Sequence, residues 1–185
     1  MRKLHITAAL ILMLGLVLLT AACQPEEEEE FDQGALVAVD KYINEMTEAL
    51  SDETLRADLK GWVRDYYEDD LPLYYDEERR EWLKEHKEEL GRVRQKHLNG
   101  GFPTDEEISE WQVVVVRGDT EWMLEGEEVI IALRQLDRLY EEITGTIDMI
   151  IGSEGELDMQ QSERVLALLD GIDPAVEEIR SVLFR

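Results

Sequence analysis

The chain has 185 residues, of which 44 are Asp or Glu and 19 are Lys or Arg, so its formal net charge is −25 at pH 7. So negative a surface repels nucleic acid and anionic lipid headgroups, and we therefore expect no nucleic-acid partner. The excess of acidic residues favours a role in keeping the surface solvated at high salt or high pH, where self-repulsion is screened. The alternatives are that these residues bind divalent cations or a basic partner.

The first 23 residues have the order of a secretory signal peptide. Two basic residues, Arg2 and Lys3, precede the apolar run Ala8–Leu19, and the small residues Thr20–Ala22 then lead to Cys23. The apolar run has 12 residues, whereas a transmembrane helix needs about 20. Cys23 is the only cysteine, so the chain cannot form an internal disulfide.

This order resembles the signal peptide and lipobox of bacterial lipoproteins, over residues 1–23 only. The resemblance implies that residues 1–22 are removed and that the Cys23 thiol is diacylated, which gives two chains and stable anchoring. The protein would then be exported and held at the extracytoplasmic face of the cell membrane or outer membrane. The usual leucine three residues before the cysteine is replaced by Thr20. An ordinary secretory signal with a free cysteine, or a retained N-terminal anchor helix, are the alternatives.

An acidic tether is predicted after the cysteine, over residues 23–33. Gln24 and Pro25 are followed by five glutamates, Glu26–Glu30, which have no way to bury apolar surface and repel one another. We expect this repulsion to extend the tether and to hold the domain off the membrane. The folded domain is expected over residues 34–185, with a possible subdivision near residues 99–104.

From Gly34 onwards, apolar residues recur every three or four positions, which is the period of a helix packed along one face. Four helices are predicted in the first part of the chain: one that ends at Leu50, one capped by Ser51 and ended by Pro72, one from near Asp76 to Asn99, and one after the capping box Thr104–Glu107. Three more are predicted after them. The first runs from about Thr120 to Ile151, the second carries Val165–Leu169, and the third has Asp173 as N-cap and Pro174 at its first position. The sequence thus predicts an all-α fold, a helical bundle of five to seven helices.

Val113–Val116 is the segment that also fits a short strand, because four consecutive β-branched residues favour β-structure. We interpret it as helix, since the capping box precedes it directly. The next helix would then carry Trp122 on its apolar stripe, with Gly126 and Gly145 as weak points within it.

The residue types of common catalytic and metal sites are scarce. Beyond the N-terminal segment the histidines are His86 and His97, and neither a Gly-x-Ser-x-Gly motif nor a glycine-rich phosphate loop occurs. His86 and Glu89 place two possible metal ligands one helical turn apart, which is a weak signal. A calcium loop of the EF-hand type fails because Ile150 and Gln161 stand where carboxylates are required. We therefore expect no enzymatic activity, no cofactor and no metal.

Aromatic residues concentrate around Pro72. The cluster consists of Trp62, Tyr66, Tyr67, Tyr74, Tyr75 and Trp82. Packing in the core and at helix ends is the first interpretation. The alternative is a binding surface for sugars, peptides or apolar ligands, because aromatic walls with hydroxyl tips suit them. Its contact residues would be Tyr67, Tyr74, Tyr75 and Trp82.

The segment Asp76–Lys96 contains seven acids and seven bases, so it is electrically neutral within an acidic chain. We expect this helix to lie against acidic neighbours, with exposure as a docking face for a protein partner as the alternative. The resulting hypothesis is a non-catalytic interaction or structural module of the cell envelope, anchored at Cys23, whose protein partner is unknown. The alternative function is an extracytoplasmic solute- or metal-binding lipoprotein.

Overall fold

A computed structural model describes residues 32–68, 77–117, 119–154 and 156–183, with the side chains of residues 66–68 and 117 excepted. These ranges contain α1 (Gln33–Leu50), α2 (Glu53–Glu68), α3 (Glu77–Leu98), α4 (Asp105–Ser109), β1 (Gln112–Arg117), β2 (Thr120–Glu125), α5 (Gly126–Gly152) and α6 (Met159–Leu183). Five long helices with one short helix and one hairpin confirm the predicted all-α bundle. Every helix in these ranges is too short or too polar to cross a bilayer.

The core lies between α1, α5 and α6, and the other elements pack on these three. Helix α3 contacts α1 and α5, α2 contacts α6, and both α4 and β2 contact α5. The buried stripe of α1 contains Val39, Ile43, Met46 and Leu50, as its spacing predicts. Each stripe faces a neighbouring helix, so the apolar pattern of the sequence and the packing of the bundle agree.

The sequence predicts that Ser51 and Thr104 each cap the start of a helix, and the structure confirms one of the two. The capping box at Thr104 is confirmed: its hydroxyl accepts from the Glu107 amide while the Glu107 carboxylate accepts from the Thr104 amide. Ser51, however, does not cap α2. Its amide still donates to the Thr47 carbonyl at the end of α1, and Asp52 Oδ1 instead accepts from the first amides of α2.

The prediction of helix for Val113–Val116 is wrong. Helix α4 ends at Ser109, and β1 pairs with β2 in an antiparallel hairpin. The pairing places Val113 opposite Leu124 and Val115 opposite Trp122, so these side chains share one face of the hairpin. Trp122 is therefore a strand residue, and the long helix begins at Gly126, because β-branched residues with a partner strand outweigh the local capping signal.

The predicted boundary at Asp173 and Pro174 is also wrong, since α6 runs through both residues as one helix. A proline inside a helix costs about 3 kcal/mol. The buried stripe continues across it at spacings of three and four: Val165, Leu169, Ile172, Val176, Ile179 and Leu183. Burial of this stripe against α5 and α1 offsets the cost, and Asp173 pairs with Arg56 of α2.

Gly126 marks the closest backbone approach at the start of α5. Its amide donates to the Trp111 carbonyl oxygen at 2.9 Å, and a Cβ at this position would lie 1.8 Å from the Ile108 carbonyl oxygen. Because that neighbour is backbone, α4 would have to move to admit any side chain. Gly126 is thus required by a contact between elements and is not a weak point inside a helix.

We expect Gly126→Ala to lower the free energy of unfolding by about 2 kcal/mol or more, because the added methyl overpacks the junction of α4 and α5. Gly145→Ala is the matched control: it lies in the same helix, and nothing lies within 4 Å of the added Cβ. It should stabilise by up to about 1 kcal/mol. Urea denaturation of both variants measures this, and equal effects would contradict the close approach.

Candidate functional site

Helix α3 carries the predicted contact residue Trp82 and is fixed to its neighbours by ion pairs. Its bases reach acids of adjacent helices: Lys87 pairs with Asp148 of α5 at 2.6 Å, Arg94 with Asp137 of α5 at 3.0 Å, and Lys96 with Glu45 of α1 at 2.6 Å. The prediction that the neutral helix lies against acidic neighbours is confirmed. Electrostatic attraction and apolar packing of Leu83 and Leu90 together position α3.

An aromatic cluster lies beneath these ion pairs. The ring of Tyr42 lies 5.5 Å from that of His97 and 5.2 Å from that of Phe102, and burial raises the pKa of Tyr42 to about 12. His97 Nε2 lies 2.8 Å from Glu45 Oε2, with the histidine side chain 8% exposed. Hydrogen bonds from Lys96 and His97 lower the pKa of Glu45 to about 2.

The first candidate site is a cleft between α3 and the junction of α1 with α2, which we call the Trp82 cleft. Its volume is about 300 Å³. The side chains that give it chemical character are Leu55, Trp82, Glu85, His86, Glu89 and Arg92. An aromatic side chain and carboxylates in one lining suit a small, partly apolar solute that carries a cation or hydrogen-bond donors.

Trp82 is held between two aromatic neighbours. Its ring centroid lies 5.5 Å from that of Trp62 in an edge-to-face pair and 3.9 Å from that of His86. The Arg79 guanidinium lies 5.0 Å over the Trp62 ring. His86 Nδ1 is 3.0 Å from the Trp82 carbonyl oxygen, which only accepts. The Nδ1 atom therefore carries the proton, and Nε2 of the neutral ring remains an acceptor.

Of the four predicted contact residues, only Trp82 has a described side chain, and it lines the cleft. Tyr74 and Tyr75 lie outside the described residues, as does Cys23, and Tyr67 is described in its backbone alone. His86 and Glu89 meet at the cleft, as their spacing predicts. Within the described ranges, three or more His, Cys, Asp or Glu side chains nowhere converge as a possible metal site.

The second candidate site is a groove that the sequence analysis missed, which we call the hairpin groove. It has a volume of about 300 Å³ and lies between the start of α1, the hairpin and the end of α6. Its apolar lining includes Leu36, Val37, Val115, Val116, Trp122 and Leu183. The run of β-branched residues was the available signal, but the assignment of Val113–Val116 to a helix concealed the surface that they form.

A further cleft, of about 620 Å³, lies between α3 and α5 and is lined in part by Lys84, Lys87 and Arg92. These cations already have carboxylate partners, namely Glu81, Asp148 and Glu89 respectively. Because its positive charge is neutralised by the protein itself, this cleft lacks the uncompensated cations that binding of an anion requires.

Comparisons with protein-family models, with curated proteins and with solved structures returned no match for this chain. We therefore infer function from the sequence of the N-terminal segment, the Trp82 cleft and the hairpin groove.

In Glu45→Gln we expect the free energy of unfolding to fall by about 1 kcal/mol at neutral pH, because Lys96 and His97 lose their carboxylate partner. The pKa of Glu45 is about 2 in the folded protein against an ordinary value of 4.5. Its contribution is therefore complete above about pH 4.5 and is lost as the pH falls toward 2.

Urea denaturation of wild type and Glu45→Gln, in steps from neutral pH to about pH 3, measures this difference. The control is Glu48→Gln, an exposed residue of the same helix, which should match wild type at every pH. A difference between wild type and Glu45→Gln that stays constant with pH would contradict the assigned ion pair.

Proposed function

We propose that this protein is a lipid-anchored module of the cell envelope that binds another protein and catalyses no reaction. One observation carries the proposal: Val114, Val116 and Met123 are exposed on the outer face of the hairpin, beside exposed Val37 of α1. Exposed apolar side chains grouped on one face of a strongly charged protein favour a site of interaction, because leaving them in water is unfavourable.

The anchoring part of the proposal is supported by the order of residues 1–23: basic start, short apolar run, small residues and the single Cys23. Acylation would place the domain at the extracytoplasmic face of the cell membrane or outer membrane. The glutamates that follow would be repelled by anionic headgroups, which favours contact with proteins over contact with lipid.

We expect Cys23→Ser to abolish membrane association of the mature protein, because serine offers no thiol for the diacyl group. Fractionation of host cells, with partition of the protein into a detergent phase, measures the anchor. Thr20→Leu is the control, since it restores the usual lipobox residue and keeps the cysteine. Equal membrane association of Cys23→Ser and wild type would refute lipid anchoring and favour a retained N-terminal helix.

The second candidate function, a solute-binding lipoprotein, is favoured by the Trp82 cleft alone. There the ring of His86 lies 3.9 Å from that of Trp82, and Glu85 and Glu89 line the same cleft. A solute that carries a cation would bind such a site through the aromatic face of Trp82 and the carboxylates of Glu85 and Glu89.

For this candidate we expect native mass spectrometry of the protein purified from its host to show a mass above that of the chain with its lipid. Trp82→Ala should lose the additional mass, whereas Ile131→Ala, an exposed residue of α5 outside the cleft, should retain it. A wild-type protein with only the mass of the chain and its lipid would exclude a retained solute.

A further inference from the structure

We propose that the hairpin groove binds an extended segment of the partner protein, in which apolar side chains enter the groove and cationic side chains flank them. The inference rests on the proposed interaction function and names the site and the chemistry of the partner.

The hairpin leaves one strand open to such a segment. Strand β2 packs on α5, whereas the extensive contacts of β1 are with β2. In the described part of the chain the sheet has two strands, so no strand covers the other edge of β1. Val115 and Val116 point to opposite faces of β1, and both line the groove, so the groove reaches that edge.

The apolar walls of the groove fit side chains that project from an added strand. Val37 of α1 is 64% exposed and Val116 is 68% exposed, while Val115 and Trp122 form the inner wall. An extended segment paired with β1 presents alternate side chains to this space and gains backbone hydrogen bonds along the edge.

The small number of exposed apolar side chains favours a segment over a second copy of the chain. Among the described residues, α1 and the hairpin expose four large apolar side chains, those of Val37, Val114, Val116 and Met123. A stable dimer buries about 800 Å² on each partner, which takes roughly 20–30 residues a side. Two copies would also bring together chains that each carry a net charge of −25, which opposes their association.

The charge around the groove favours a cationic partner. Asp40 lines the groove, and across the described ranges its carboxylate has one hydrogen bond, from Asn44 at 3.3 Å, and no cation within 4.0 Å. Glu121 lies opposite Val116 in the hairpin register and adds a second carboxylate on the outer face. Lysine or arginine beside the apolar residues of the segment would neutralise both.

The test titrates the full chain, in detergent, with synthetic peptides of about ten residues, a length that spans one strand. One peptide alternates valine with lysine, and a second alternates serine with lysine, so that the charge is equal and the apolar side chains differ. We expect the valine peptide to bind at least about tenfold more tightly, which corresponds to about 1.4 kcal/mol. Equal affinities would mean binding by charge alone and would overturn the proposal.

Substitutions then locate the site. Val37→Lys and Val116→Lys should each weaken binding of the valine peptide by about tenfold or more, because they place a cation at the groove. Ile131→Lys, at a residue of α5 that is 54% exposed, changes the net charge equally and should leave the affinity within about twofold. An equal loss in Ile131→Lys overturns the assignment to the groove. If the wild-type protein is a dimer that Val37→Lys converts to monomer, the occupant of the groove is a second copy of the chain, which also overturns the proposal.

Failure of this inference can be told apart from failure of the proposed function. Peptide binding depends on the folded groove and not on the anchor, whereas Cys23→Ser reports the anchor and not the groove. Circular dichroism of each lysine variant verifies that the helices remain folded, so a lost affinity reports the groove. If the wild-type chain is membrane-anchored but binds neither peptide, the assignment of the groove as a binding site is overturned and the lipid anchor remains supported.

Discussion

The packing of α6 against α5 is the contact on which the rest of this structure depends. The buried stripe of α6, from Val165 to Leu183, continues straight past Pro174, so the apolar surface that it buries exceeds in free energy what the proline removes. Helix α1 packs on both of these helices, α2 lies on α6, and α3, α4 and β2 lie on α5. The Trp82 cleft and the hairpin groove are therefore gaps between elements of secondary structure, and the packed pair of α5 and α6 positions those elements.

Charge is the second constraint. The chain has far more acids than bases, and it uses several bases to join elements: Lys96 and Arg94 of α3 reach α1 and α5, and Arg56 of α2 reaches α6. These pairs are partly exposed, so each contributes little free energy, and the burial of Leu83 and Leu90 sets which face of α3 points inward. The net charge of the chain is strongly negative, and the hairpin is one place where exposed apolar side chains interrupt the charged surface.

The two candidate sites lie on different elements and imply different partners. The Trp82 cleft combines an aromatic wall with a histidine acceptor and is suited to a small solute. The hairpin groove combines valine walls with an open strand edge and is suited to an extended peptide. The exposed apolar side chains of the hairpin favour the second as the basis of function, because leaving them in water is unfavourable and a partner would cover them.

The sequence by itself determined the features whose cause is local: the stripe Val39–Leu50, the capping box at Thr104 and the neutral composition of α3. These follow from helical periodicity, from hydrogen bonds over three residues and from composition. Trp82 was named as a possible contact residue because aromatic residues concentrate around Pro72, with packing in the core as the first interpretation. The tertiary structure decided the state of Val113–Val116, the continuity of α6 through Pro174 and the existence of the hairpin groove. Each depends on residues distant in the chain, since a strand needs a partner strand and a helix with an internal proline needs packing that outweighs its loss.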